Sequence, residues 1–560
     1  MTFNEYPFKV PNLKTIEAKF IKLLEELKNS TDANEALKSI KKWNKYSQDL
    51  ETQFSIIYVL YSLNTNDNKY KKAQQKCDEI SPYVSKFKND FAKLITSSKF
   101  RKELETKLGT YLFEMYDDSL KAFSEIIMPE MIEENKLVSK YDEIMGGAEI
   151  EFDGKVLNTS QLGKYLQDED DETREKAAKA FDKWLGENEK DIADIYSQLV
   201  TLRNTMALKL GFKDFTELGY LRLGRTDYNP KMVEGYRKQI GECFVPLCNK
   251  LYKAQAKMLG IKNPQYYDYS LRFKDGNAKP AGNLEYLVKA ADKMYSSLSE
   301  ESRDYFRFMQ DNHLMDLDAR SGKAPGGYCT FFPKYKAPFI FSNFNGTEGD
   351  VNVLTHEGGH AFQAYLCSSI KIPEYMNPTL ESCEIHSMSM EFFAWPYMEE
   401  FCGKDAKKYK FAHLCDAIEF LPYGISVDEF QHWVYAHPNA THEERCRIWK
   451  EIETKYTPHK KYDKCPTLNK GTIWMRQSHI FANPFYYIDY TLAQVVAFQF
   501  LVEDRKDHVK AWKKYVKLCK CGGKYPFCEL LKRNHLRNPF EDGNLQKVIP
   551  SLKRILKEVE

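Results

Sequence analysis

The sequence predicts a mostly α-helical protein, and three observations carry that expectation. Apolar residues recur at helical spacing along most of the chain. Strand texture is confined to two places, a short stretch at 148–157 and a Gly-, Pro- and aromatic-rich segment at 324–347. The composition is that of an ordered chain: of 560 residues, 42% are hydrophobic and 14% aromatic. A chain of this size buries a large core without disulfides.

The elements follow in order. Ile16, Phe20, Leu23, Leu24 and Leu27 share one face of a first helix. Asp32 precedes a second, over 33–63, where Leu37, Ile40 and Trp43 keep the spacing. Phe87, Phe91 and Leu94 mark a third; Leu108, Leu112 and Met115 mark a fourth. In 148–157, Ile150 and Phe152 alternate ahead of Asp153-Gly154, a tight-turn pair, which predicts a small hairpin. Helices resume over 160–210, where the acidic run 168–173 suits a helix N-terminus, and again over 230–260 and 283–314. Residues 324–347 read as strands and turns, and helices return from 350 with an interruption near 437–442. No fixed period recurs, which argues against a solenoid. No Ser/Gly linker divides the chain. An N-terminal helical lobe of about residues 1–200 and a region 201–560 are therefore expected to form one body.

Charge and cysteine usage narrow the function. Lys+Arg is 82 and Asp+Glu is 80, for a net charge of +2, without the basic excess of a nucleic-acid binder. The start lacks a basic segment followed by an apolar one, and the stretch at 54–63 is about half of the ~18 apolar residues that a membrane span needs. The expectation is a cytoplasmic protein with no membrane or nucleic-acid partner. Thirteen cysteines, an odd number without a framework, read as reduced thiols. Cys519, Cys521 and Cys528 are spaced poorly for a metal site.

The twelve histidines all lie beyond residue 312, so any His-ligated metal belongs to the second half of the chain. There His356-Glu357-Gly358-Gly359-His360 forms the pattern H-E-x-x-H. On a helix the two histidines stand one turn apart and about 40° around the axis, so both imidazoles reach one tetrahedral Zn²⁺. Zinc lowers the pKa of a water it holds to about 7. Glu357, beside them, can take that proton and later pass it to a leaving amine. Two consecutive glycines cost a helix about 1 kcal/mol each relative to Ala. A helix approached closely by a substrate or by a second helix has a reason to carry them.

A catalytic zinc needs a third protein ligand and an open position. A third histidine in the metzincin spacing is absent: Gln363 and Leu366 follow His360. The ligand is then expected to be a carboxylate on a nearby helix. Residues 380–400 offer Glu381, Glu384 and Glu391, with Glu391 seven residues beyond Glu384 on the same face. Spacing alone does not separate Glu381 from Glu384. A second cluster runs from His479 through Tyr486, Tyr487 and Tyr490. Tyr OH and His N–H are suitable donors to an oxyanion.

These segments, HEGGHAFQAY, ESCEIHSMSMEFF and RQSHIFANPFYYIDYTLAQ in that order, resemble the oligoendopeptidase F branch of the thimet oligopeptidase family of zinc metallopeptidases. KAPGGYCTFFPKYKAPFIFSNFNGT resembles that family's Gly-rich loop and substrate-side strand, and FKVPN its start. The likeness covers most of the chain and is most specific from about 320 to 500.

The resemblance implies a mostly α fold, with two helical lobes enclosing a deep channel and a small β-sheet beside the zinc-binding helix. It implies Glu384 as third ligand with His356 and His360, and one Zn²⁺ per chain. Glu391 corresponds to an acid that orients a ligand imidazole. His479 and a tyrosine, Tyr487 or Tyr490, are implied to bind substrate and steady the oxyanion, with a tyrosine register that leaves Tyr486 open as well. Gly326 and Gly327 would form a loop over the channel. Phe341, Ser342, Asn343 and Phe344 would lie beside the zinc helix and pair with a peptide along a strand edge. Cys329, Cys367 and Cys383 stand in or beside the motifs as buried small residues or as redox-sensitive thiols.

The activity expected is endopeptidase action on short unstructured peptides, with Glu357 as general base. Two alternatives stand beside it. A zinc carboxypeptidase or dipeptidase would need a cation such as Arg476 for the terminal carboxylate. A non-catalytic peptide-binding protein would have no use for Glu357.

Overall fold

The computed structural model describes residues 1–320 and 322–560. It is helical nearly throughout, with two small sheets. The first helices run Leu13–Lys28, Ala33–Leu63 and Asn68–Thr96. Asp32 caps the second as expected, its side chain accepting from the backbone N–H groups of Asn34 and Glu35. These helices bury a core of their own around Phe20, Trp43, Phe87 and Phe91, in which the Trp43 and Phe91 rings stack at 4.2 Å. The expected fourth helix is two, Arg101–Leu108 and Thr110–Ala122. Gly109 breaks it at φ 96°, a conformation that an L side chain rarely adopts. A Cβ there would stand 2.6 Å from the Tyr375 hydroxyl, which reaches in to accept from Leu112 N–H at 3.1 Å.

The hairpin pairs β1 (Ile150–Phe152) with β2 (Lys155–Leu157), antiparallel. Asp153 and Gly154 both have positive φ, as a type I′ turn requires. Asp170 caps the long helix Asp171–Lys209, accepting from Thr173 N–H at 2.9 Å. That helix passes unbroken through residue 200, so no chain break falls at the expected lobe boundary. The second sheet has β3 (Met315–Asp318), β4 (Tyr328–Phe332) and β5 (Ala337–Phe344) in the order β3-β5-β4. β3 runs parallel to β5, and β4 runs antiparallel. The sequence reading did not anticipate β3, whose four residues are too few for alternation to register.

The order of this sheet places the expected substrate-side residues on β5. Phe341 to Phe344 all lie on the central strand; Phe341 opposes both Asp316 and Tyr328, while Ser342 to Phe344 run past the end of β4 with β3 on their other side. The outer edge beside the site belongs to β4. The expected interruption near 437–442 separates helices Ala406–Ala436 and His442–Tyr456. One continuous hydrophobic core joins the sheet, the motif helices and the helices that follow to the C-terminus. No helix among the described residues is long and apolar enough to cross a membrane.

Candidate metal centre and active site

The H-E-x-x-H segment lies in the helix Gly349–Cys367 and the acidic candidates in the helix Leu380–Phe393. The two pack closely because Gly359 has no side chain. A Cβ there would sit 2.7 Å from both the carbonyl oxygen of His386 and Cα of Ser387. Gly358 faces another helix, Leu284–Leu298, where a Cβ would meet the Tyr295 hydroxyl at 2.0 Å. Both glycines therefore serve the approach of neighbouring helices.

That approach separates the acids that spacing could not. Glu384 Oε2 stands 3.3 Å from His356 Nε2 and 3.4 Å from His360 Nε2. Among the described residues these three form the one group of His, Cys, Asp or Glu side chains able to converge on a single ion, with donor atoms all within 4.8 Å of one another. Glu381, one turn earlier, is buried elsewhere. Burial first, and then the Asp489 carboxylate, push its pKa up, against the pull of Arg225. Cys519, Cys521 and Cys528 do not form such a group, and all thirteen cysteines are free thiols. Burial, with the nearby Glu357 carboxylate second, raises the Cys329 thiol well above its ordinary value; burial also raises Cys367 to about 11.

The donor set fits a zinc ion. It is two imidazoles and one carboxylate. Burial works against charge on Glu384, yet His360 and His356 hold it well below the usual carboxylate range. Burial likewise opposes charge on His356, but Glu384 and Glu391 hold it well above the ordinary imidazole value. A cation between them would satisfy the same carboxylates. Beside this group Glu357 is buried, and its Oε2 has no hydrogen-bond partner. Burial raises its pKa, partly offset by His356 and His360.

Supporting contacts surround the ligands. Glu391 Oε1 lies 2.7 Å from His356 Nδ1, which leaves Nε2 for the metal position. Ser387 Oγ donates to Glu384 Oε2 at 3.0 Å, and Tyr486 Oη donates to Glu384 Oε1 at 2.5 Å. His479 Nε2 and Tyr490 Oη are 3.2 Å apart, and Gln477 Nε2 donates to His479 Nδ1 at 2.8 Å. With Nδ1 accepting, Nε2 carries the proton and is a donor. Burial lowers the His479 pKa to about 4, so the ring is neutral near pH 7.

All three tyrosines stand against the His479 ring, at 5.0 to 5.8 Å. Tyr486 and Tyr490, one turn apart at the start of the helix Tyr487–Asp504, lie on one face with rings at 5.0 Å. The Tyr487 ring lies 5.0 Å from that of His479 and 5.8 Å from that of Tyr423, and its hydroxyl makes no bond to Glu384. Tyr486 and Gln477 thus carry contacts that the sequence reading did not assign. The i, i+4 spacing of Tyr486 and Tyr490 was the signal for the first; nothing local marks the second.

The Gly-rich loop lies close by. A Cβ on Gly327 would sit 3.4 Å from the Val353 side chain, one turn before the ligand histidines. Gly326 has φ 87° and open space around it. Phe341, Ser342 and Asn343 stand against this loop. Asn343 Nδ2 donates to the carbonyls of Ala324 and Gly326 at 2.8 and 2.9 Å. Phe341 stacks on Tyr328 at 4.8 Å, and Lys323 Nζ donates to the carbonyl of the buried Ser342. Phe344 is buried against Asp318 of β3.

A helical body with an H-E-x-x-H helix crossed by a glutamate-bearing helix has a donor pattern that metal-dependent hydrolases use. Comparison with known proteins narrows the class. Residues 3–123 match the Peptidase M3 N-terminal domain, and residues 164–548 match Peptidase family M3. The chain belongs to peptidase family M3, and within it is oligoendopeptidase F-like.

The structure of a PZ peptidase A with an inhibitor is 46% identical, with TM-score 0.98, covering 100% of this chain and 99% of that one. A structure assigned provisionally as an oligoendopeptidase F is 44% identical, with TM-score 0.98 and coverage of 100% and 99%. An oligoendopeptidase F homologue of Mycoplasma genitalium is 23% identical over 337 residues, covering 56% of this chain and 53% of that protein. The chain thus spans about half the length of that curated relative.

Proposed function

We propose that the protein is a zinc-dependent oligoendopeptidase that hydrolyses internal bonds of short unstructured peptides. The observation that carries this reading is the convergence of His356, His360 and Glu384 on one point beside a buried, unpartnered Glu357 carboxylate. His356, His360 and Glu384 would hold one Zn²⁺. When bound, zinc would polarise the scissile carbonyl and make a water acidic enough to attack it near neutral pH.

The chain's own residues do the rest. Glu357 takes the proton of the attacking water on its free Oε2 and delivers it to the leaving amine. Its raised pKa makes it a better acceptor near neutrality than an ordinary carboxylate. His479 Nε2–H and Tyr490 Oη donate to the substrate oxygen as it gains charge, a kind of contact worth about 10²–10³ in rate where it has been removed. Tyr486 and Ser387 hold both oxygens of Glu384 in place. Extended substrates would run along the free edge of β4, beneath the Gly326-Gly327 loop.

The test pairs metal content with cleavage of an internally quenched peptide of about ten residues, blocked at both ends, for wild type and Glu357→Gln. One zinc per chain in both proteins and cleavage by wild type alone is the expected result. Zinc with no cleavage of the blocked peptide by wild type would refute endopeptidase action and favour an end-directed enzyme or a binding protein. Cleavage by both would refute the role of Glu357.

A further inference from the structure

The bonds that orient His356 do not end at Glu391. Glu391 Oε2 lies 2.6 Å from His413 Nε2, on the helix Ala406–Ala436, and His413 Nδ1 accepts from Trp395 Nε1 at 3.0 Å. An indole N–H only donates, so it sets the direction of every bond behind it. His413 Nδ1 must be the unprotonated nitrogen. Its proton is then on Nε2 and is given to Glu391. Glu391, with its other oxygen, accepts from His356 Nδ1 at 2.7 Å. His356 thus commits its Nδ1 proton to Glu391, and Nε2, facing Glu384 and His360, is the nitrogen left for a metal.

His413 and Trp395 are both buried, and His413 is held in plane. Tyr409 stacks on it with ring planes 13° apart at 5.7 Å, and Phe392 packs at 4.9 Å. Tyr409 in turn donates its hydroxyl to Asn352, one turn before His356 on the motif helix. The helix Ala406–Ala436 therefore reaches the metal-binding helix by two routes, one through Glu391 and one through Asn352.

We propose that His413 and Trp395 are positioning residues of the metal centre. Through Glu391 they lock His356 in the tautomer and orientation that present Nε2 to zinc, and so they set metal affinity without touching metal or substrate. This rests on the reading of His356 as a ligand.

The test measures zinc affinity by competition with a chromophoric chelator, and the visible spectrum of the Co²⁺-substituted protein. The variants are His413→Phe, His413→Gln and Trp395→Phe, with His356→Ala as a control for the ligand reading. His413→Phe keeps ring volume but loses both bonds, and it is expected to weaken zinc about 10–100-fold and to shift the Co²⁺ bands. His413→Gln, able to accept from the indole and donate to Glu391, is expected to recover most of that loss. Trp395→Phe is expected to lie between wild type and His413→Phe.

Wild-type zinc affinity and an unchanged Co²⁺ spectrum in His413→Phe and Trp395→Phe would overturn the proposal. Zinc retained by His356→Ala would instead overturn the ligand reading beneath it. If His413→Phe does not fold, Trp395→Phe decides alone: weakened zinc supports the relay, and wild-type affinity overturns it.

Discussion

Gly359→Ala puts the packing of the metal centre to a quantitative test. The added Cβ would stand 2.7 Å from backbone atoms of His386 and Ser387 and 3.0 Å from Met390 Cβ. Ordinary contact begins at 3.4 Å, so the two helices must part by about 0.7 Å. Backbone cannot swing aside as a side-chain tip can. Overpacking of this kind costs about 1–3 kcal/mol. The intrinsic gain of Ala over Gly in a helix is about 1 kcal/mol, which leaves a net loss of up to about 2 kcal/mol.

The same displacement moves His360, the next residue, away from Glu384, which it faces at 3.4 Å. Zinc–ligand bonds tolerate only about 0.2 Å, so metal affinity should fall more sharply than stability. Gly235→Ala is the matched contrast. It lies in the helix Pro230–Cys243 with nothing within 4 Å of its Cβ position, and it should stabilise by up to about 1 kcal/mol. Thermal or urea unfolding of the metal-free proteins, with zinc titration by chelator competition, reads both effects. A Gly359→Ala protein as stable as Gly235→Ala, binding zinc as wild type does, would refute the close-approach argument.

Three further outcomes follow from the site. Tyr486→Phe removes the hydroxyl on Glu384 Oε1 and should lower zinc affinity or kcat/KM by about tenfold or more, while Tyr487→Phe should change either by less than twofold; equal effects would refute the assignment of the tyrosines. His479→Ala should lower kcat by about 10²-fold. His479 has a pKa near 4, so its loss should leave the shape of the pH–rate profile above about pH 5 unchanged; a limb that disappears there in the variant would sink the neutral-donor role.

Glu381 and Asp489 are both held above the carboxylate range by burial, with only Arg225 between them as counter-charge. The folded protein therefore keeps a proton that the unfolded chain loses above about pH 4.3. The sign is fixed by that difference: stability from this pair is full below the unfolded value and is lost as pH rises toward the folded one. Glu381→Gln should flatten the fall of melting temperature between about pH 5 and 8. An unchanged slope would show that the pair does not share a proton.

The H-E-x-x-H helix was legible in the sequence because its information is local. His356 and His360 meet through helical periodicity alone, and a helix that carries Gly358-Gly359 announces a close neighbour. Asp32, Asp170 and Asp153-Gly154 were readable for the same reason: caps and tight turns are set within a few residues. The fourth helix misread the same kind of evidence, because the break at Gly109 is matched to a hydroxyl from Tyr375 far along the chain. A spacing argument does not see such a partner.

What only the tertiary structure decided is what depends on contacts between distant segments. Glu381 and Glu384 are one turn apart on the same helix, and only the packing at Gly359 sends one to the histidines and the other to Arg225. Strand order put β5 between β3 and β4 and brought Phe341, Ser342 and Asn343 against the Gly-rich loop. His413 and Trp395 join Glu391 across separate helices, with no spacing to mark them. The sequence by itself determined the helices, the pattern of donors and the chemistry they could perform. The fold determined which donors meet, since hydrogen bonds and metal ligation act over about 2–3 Å, a distance that only close packing of side chains from remote segments can set.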